Sequence, residues 1–134
     1  MAVTRDLVLV DMSDIAALAE ARALVRLLSD AGVAAPPGPC AASLALVRRE
    51  AVAVSALLAE GLRARESEEE IRRLRDACMV LSDVRALSWR AVGEGLLSPP
   101  MFDELMAVTS RCRREIVAVE VAARRRARRR IDQQ

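Results

Sequence analysis

Ser98-Pro-Pro-Met-Phe-Asp-Glu-Leu-Met-Ala-Val-Thr-Ser-Arg-Cys-Arg-Arg-Glu-Ile-Val-Ala-Val-Glu-Val-Ala-Ala-Arg-Arg-Arg-Ala-Arg-Arg-Arg130 is the stretch that decides the fold. Ser98 can cap a helix, and Pro99 suits the first helical position because its missing N–H would have no partner there. Phe102, Leu105, Thr109, Cys112, Ile116, Val119 and Ala123 then follow at alternating steps of three and four. That period is the seam of a helix packed in a bundle. Past Ala123 the same face carries Arg126 and Arg130, so burial is expected to stop there. A helix over 99–130 spans about 48 Å at 1.5 Å per residue.

Working backwards, Ser67-Glu68-Glu69-Glu70 reads as a capping box opening a helix over 67–93, with Ser67 as cap and Glu70 reaching back. Glu68 with Arg72 and Glu69 with Arg73 stand at i,i+4 in the favourable order. Ile71, Leu74, Cys78, Leu81, Val84 and Ser88 trace its inner face, and Gly93 and Gly95 end it. A helix over 42–64 buries Leu44, Val47, Ala51, Val54 and Leu58; from Val52 to Ala59 it is apolar on nearly every side, as a central or subunit-covered helix would be. The first helix, 14–31, starts at Ser13 or Asp14, carries Ile15, Leu18, Val25 and Leu28, and stops at Gly32-Val33. The prolines of residues 34–39 make a loop, and residues 7–10 either extend the first helix or form an arm. Short connections between the last three helices predict antiparallel neighbours. The expected fold is therefore all-α, a single domain over 1–134: an antiparallel up-down four-helix bundle.

Composition agrees. Hydrophobic residues make up 53% of 134, drawn from Ala, Val and Leu with one Phe, one Trp and no Tyr. Those are helix formers more than strand formers. The longest apolar run, 51–59, falls far short of the ~20 residues of a membrane span, and Asp6, Asp11 and Asp14 do not suit a signal peptide. A cytoplasmic protein with no membrane partner is the expectation. Cys40, Cys78 and Cys112 read as free buried thiols, and without histidine a thiolate zinc site lacks a fourth ligand. No cofactor or metal is implied. Trp89 reads as core or subunit contact.

Catalysis finds no footing. Serines lack a histidine partner, no glycine-rich phosphate cradle follows a strand, and Asp103 and Glu104, being adjacent, diverge on a helix. Charge is the feature that points to a partner. All 21 cationic residues are Arg. Residues 1–110 hold 12 Arg against 16 Asp/Glu, a balance of −4, while residues 111–134 hold 9 against 3, a balance of +6. The run Arg124, Arg125, Arg126, Arg128, Arg129, Arg130 repels itself and is suited to RNA or DNA, since each neutralised phosphate releases counterions. Arg48, Arg49, Arg63, Arg65, Arg72 and Arg73 are candidate secondary contacts. The competing reading pairs the run with Glu66, Glu68, Glu69 and Glu70 at the start of the third helix. Too few aromatics are interleaved to suggest a platform for stacking bases.

Leu46-Val-Arg-Arg-Glu-Ala-Val-Ala-Val-Ser-Ala-Leu-Leu-Ala-Glu-Gly61, followed by Arg63, Arg65, Ser67 before an acidic turn, Ile71 to Leu87, the Gly95–Ser98 turn and Phe102, resembles one family over residues 44–120. It is the four-helix-bundle family of ribosomal-RNA intervening-sequence proteins and the accessory variability proteins of diversity-generating retroelements. The residues before Ala59-Glu60-Gly61 are Ala56, Leu57 and Leu58 in place of the family's usual polar and proline positions. The resemblance implies a ring-like homo-oligomer, a homopentamer, with a basic surface and no catalysis. In the retroelement branch it implies binding to reverse transcriptase and template RNA; in the intervening-sequence branch, a self-assembling interaction bundle without a nucleic-acid role.

Overall fold

A computed structural model describes residues 12–34, 41–65 and 67–133. Among them there are four helices and no strand: α1 (Met12–Ala34), α2 (Ala41–Arg63), α3 (Glu68–Gly93) and α4 (Pro99–Asp132). The expected arm at 7–10, the proline loop, Cys40 and Glu66 lie outside the described residues. The close packings run α1–α2, α2–α3, α3–α4 and α4–α1, so each helix touches two others around one core, as in a four-helix bundle.

The stripe read for α2 is the buried one, and so is that of α4 from Leu105 onward, while Phe102 at its start is only half-buried. Leu44, Val47, Ala51, Val54 and Leu58 are sealed, as are Leu105, Thr109, Cys112, Ile116, Val119 and Ala123. The Thr109 hydroxyl donates to the Leu105 carbonyl at 2.7 Å, which satisfies it inside the core. Ser98 caps α4 by accepting from the Met101 N–H at 3.3 Å. Gly95 takes a φ of 77°, a left-handed turn that a Cβ would strain, and ends α3 where expected. At Gly61 a Cβ would stand 3.3 Å from that of Arg73 and 3.4 Å from the Glu70 carbonyl oxygen. Gly61 thus marks a close approach of α2 and α3.

Three expectations fail, each for a physical reason. In α1 the core face is Ala17, Ala21, Leu24, Leu28 and Ala31; Ile15 is 52% exposed, and Leu18 and Val25 only flank the core. Small alanines let α1 sit close to its neighbours, and counting large side chains alone rotated the stripe. The same helix continues through Gly32 to Ala34, since glycine costs a helix only about 1 kcal/mol and does not forbid it. In α3 the core face is Leu74, Ala77, Leu81, Val84, Ser88 and Ala91, and Ile71 and Cys78 only flank it, because alanines again take core positions. In α2 the exposure of Val52, at 52%, removes the central alternative and keeps the subunit-covered one.

The capping box also fails. Ser67 sits at the N-cap position, but its hydroxyl donates back to the Ala64 carbonyl at 2.6 Å, and its N–H bonds the same oxygen at 3.1 Å. Glu70 is therefore not needed there. Its carboxylate points inward and is 1% exposed. Of the two expected pairs, Glu69–Arg73 forms at 3.4 Å, whereas Arg72 turns to Glu69 at 2.7 Å instead of to Glu68.

Cys112 is a buried free thiol, and Cys78 is half-buried and free. Burial first, then the charge of Glu20 and the neighbouring Cys78, pushes the Cys112 thiol up to about 12. Burial and Glu120 likewise raise Cys78, against a smaller opposing effect of Arg113. The chain holds no His, Lys or Tyr, so among side chains that ordinarily titrate between neutral pH and about 11 only the thiols remain. A thiol whose native pKa exceeds its unfolded value contributes stability that is complete below about 8.5 and lost as pH rises toward the native value. The unfolding free energy from urea denaturation should therefore fall from about pH 9 upward, by at most about 1.4 kcal/mol per pH unit per thiol. That slope should flatten in Cys112→Ala.

Candidate nucleic-acid interface

At one end of the bundle four charged side chains from separate segments converge. Asp14 lies in the first turn of α1, Arg65 in the turn after α2, Glu70 in the first turn of α3 and Arg126 near the end of α4. Arg65 Nη2 donates to Asp14 Oδ2 at 2.6 Å, and its Nε lies 3.7 Å from Glu70 Oε2. Arg126 Nη2 donates to the same Glu70 oxygen at 2.8 Å. Asp14 and Glu70 side chains are 2% and 1% exposed, and those of Arg65 and Arg126 12% and 22%. Charges alternate along the chain Asp14, Arg65, Glu70, Arg126, so each buried ion has an opposite neighbour, which burial requires.

One sequence expectation holds here and one changes. Full burial ends at Ala123, as the seam predicts, and partly buried Arg126 takes the next seam position, where it meets Glu70. Arg65, counted among possible nucleic-acid contacts, is committed inward. A signal was present. Glu70 precedes Leu74, Ala77, Leu81, Val84, Ser88 and Ala91 at the same alternating steps, so it occupies a seam position, as Arg126 does on α4. Opposite charges at seam positions of facing helices are a pairing signature.

The arginine run divides into two groups. Arg124 donates to Glu120 at 3.2 Å and Arg126 is held by Glu70. Arg125, Arg128 and Arg129 are exposed and make no ion pair with a described residue. Arg130 stands one turn beyond Arg126; its Nη1, like Arg126 Nε, is buried with no hydrogen-bond acceptor among the described residues. From Arg126 the helix continues about 9 Å to Asp132 at 1.5 Å per residue, carrying Arg128, Arg129 and Arg130 past the ion-paired layer. Glu69 is occupied by Arg72 and Arg73, and Glu70 by Arg126 and Arg65, so the described carboxylates at the start of α3 quench only part of the run.

The secondary candidates are scattered. Arg72 and Arg73 are engaged with Glu69, and Arg73 also lies 3.5 Å from Glu60. Arg63 is exposed near the charged layer. Arg48 and Arg49 lie on α2 about 21 Å of helix rise before it, so the fold does not gather them with the tail.

Outside the arginine run, the chain's two aromatic rings meet on the α3–α4 face. Trp89 is 66% exposed and thus not core, and its ring centroid lies 5.3 Å from that of half-buried Phe102, tilted by 58°. Sequence spacing could not show this, because the rings come from different helices. No described helix is long and apolar enough to cross a membrane, and no described group of three or more Cys, Asp or Glu side chains could hold a metal ion. No protein-family model, curated protein or solved structure matches the chain.

Proposed function

We propose that this protein is a non-catalytic, nucleic-acid-binding accessory protein of the retroelement type, acting in the cytoplasm beside a reverse transcriptase and its template RNA. One observation carries the reading: Arg125 at the level of the Arg126–Glu70 layer, and Arg128 and Arg129 beyond it, are exposed with no carboxylate partner among the described residues. A row of guanidinium groups without counter-charge is favoured beside phosphates, where association releases condensed cations. The resemblance of residues 44–120 supplies the partner class and the expected homopentamer. An antiparallel up-down course is part of the proposal; pairs joining the start of α3 to the end of α4 and the segment after α2 to the start of α1 support it.

A structured RNA titrated at several salt concentrations tests the reading. Binding should weaken with added salt along a log–log line, about 0.7 to 0.9 in slope per phosphate contact. Absence of binding at low salt would sink the proposal.

The alternative, a self-assembling interaction bundle without a nucleic-acid role, draws on the exposure of Ile15, Val52 and Met79, at 52%, 52% and 68%. Large apolar groups in water are often interface residues. Light scattering separates the two: assembly without RNA binding favours the bundle, and RNA binding favours the accessory protein.

A further inference from the structure

The α3–α4 face presents a cleft that the arginine run does not include. Ser82, Arg85, Ala86, Trp89, Phe102 and Met106 line a hollow of about 410 Å³. Ser82 and Arg85 also line the adjoining hollow of about 280 Å³, which continues past Arg113, Arg114 and Val117. Shared walls make the two one groove. No carboxylate lines either part, and Arg85, Arg113 and Arg114 are exposed without an ion pair among the described residues. The α1–α4 hollow differs: Asp30 and Glu104 line it together with Arg26 and Arg111, and Arg111 is paired with Glu20 at 3.3 Å. Toward the tail, the acidic group flanking the groove is Glu120, held between Arg124 at 3.2 Å and Arg75 at 4.0 Å. From Trp89 to Arg75 the face runs about 21 Å along α3.

A groove with cations along its walls and an exposed indole braced on a second ring at its far end has the two features that single-strand binding needs. Phosphates take the cations, and bases stack on the ring whatever their identity. We infer that the α3–α4 groove holds a single-stranded stretch of nucleic acid, with a base stacked on Trp89 and phosphates on Arg85, Arg113 and Arg114. The inference rests on the proposed nucleic-acid role and deepens it. The arginine end is suited to phosphates of any strand, whereas this groove selects unpaired bases, because a duplex hides their faces.

Trp89 is the chain's one tryptophan, so its emission reports on the groove directly. Labelled single-stranded DNA of about 16 nucleotides, the upper site size of a single-strand-binding domain, is titrated with anisotropy and indole emission read together. Binding should quench the emission, and Trp89→Ala should weaken single-strand affinity about 5- to 150-fold, the size of one base–aromatic stack, while leaving duplex affinity unchanged. Trp89→Phe should restore most of the loss. If anisotropy reports binding while emission stays constant, the groove is excluded and the proposed function stands. If no single strand binds the wild type, the inference falls, and the structured-RNA titration decides the proposed function separately. If Trp89→Ala lowers the mass in light scattering without changing affinity, the face belongs to a second copy of the chain and the inference is overturned.

Discussion

Glu70→Ala should lower the unfolding free energy by about 3–5 kcal/mol, the cost of breaking a buried ion pair from one side. The Glu70 carboxylate is 1% exposed and accepts from Arg126 at 2.8 Å, with Arg65 at 3.7 Å. Without it the Arg126 guanidinium, whose Nε already has no acceptor among the described residues, faces a sealed layer with a positive charge. Arg65 keeps Asp14 at 2.6 Å, so the layer is damaged asymmetrically, with the end of α4 losing most. Glu70→Gln retains the shape and removes the charge, and should recover only part of the loss. Replacing Glu70 and Arg126 together with Leu should return stability to near the wild-type value or above, because desolvating the pair costs about as much as the attraction returns. Urea denaturation of the single and double variants measures this. A loss under about 1 kcal/mol for Glu70→Ala would show that water reaches the layer.

Arg125, Arg128 and Arg129 changed together to Gln should leave stability almost untouched and flatten the salt dependence of RNA binding. Three lost phosphate contacts remove about 2 to 3 from the log–log slope, and affinity at low salt should fall on the order of tenfold or more. All three side chains are exposed and outside the described ion pairs, so their loss strands no buried charge. Arg126→Gln is the informative opposite. That residue is held by Glu70, so its replacement should cost stability and change the salt slope little. The contrast between two positions one apart on α4 separates the binding surface from the structural layer. An unchanged slope in the triple variant would remove the arginine end from the interface.

Periodicity and end signals account for what could be read beforehand. The α2 and α4 stripes stand out because Leu, Val and Ile mark them, and Ser98-Pro99-Pro100 marks a helix start by backbone chemistry that no tertiary contact overrides. In α1 the same method rotated the stripe, because Ala17, Ala21 and Ala31 bury little surface each and look neutral in a sequence. At Ser67 a local rule pointed to a capping box, and a contact 56 residues away in the chain drew Glu70 elsewhere. Local propensity is worth about 1 kcal/mol at such a cap, and a buried cation without its counter-ion costs several times that.

Helix number, the start of α4 at Ser98-Pro99 and the excess of guanidinium groups after residue 110 are properties of order and composition, and they follow from residue type and spacing. Which arginines are quenched and which remain available does not follow, because it depends on carboxylates brought from other helices. Arg126 and Arg125 are neighbours in the chain, yet one is held by Glu70 and the other faces solvent, since successive residues on a helix point about 100° apart. The meeting of Trp89 with Phe102 is of the same kind. Long-range pairing is set by how helices pack, and packing is decided by the whole core at once.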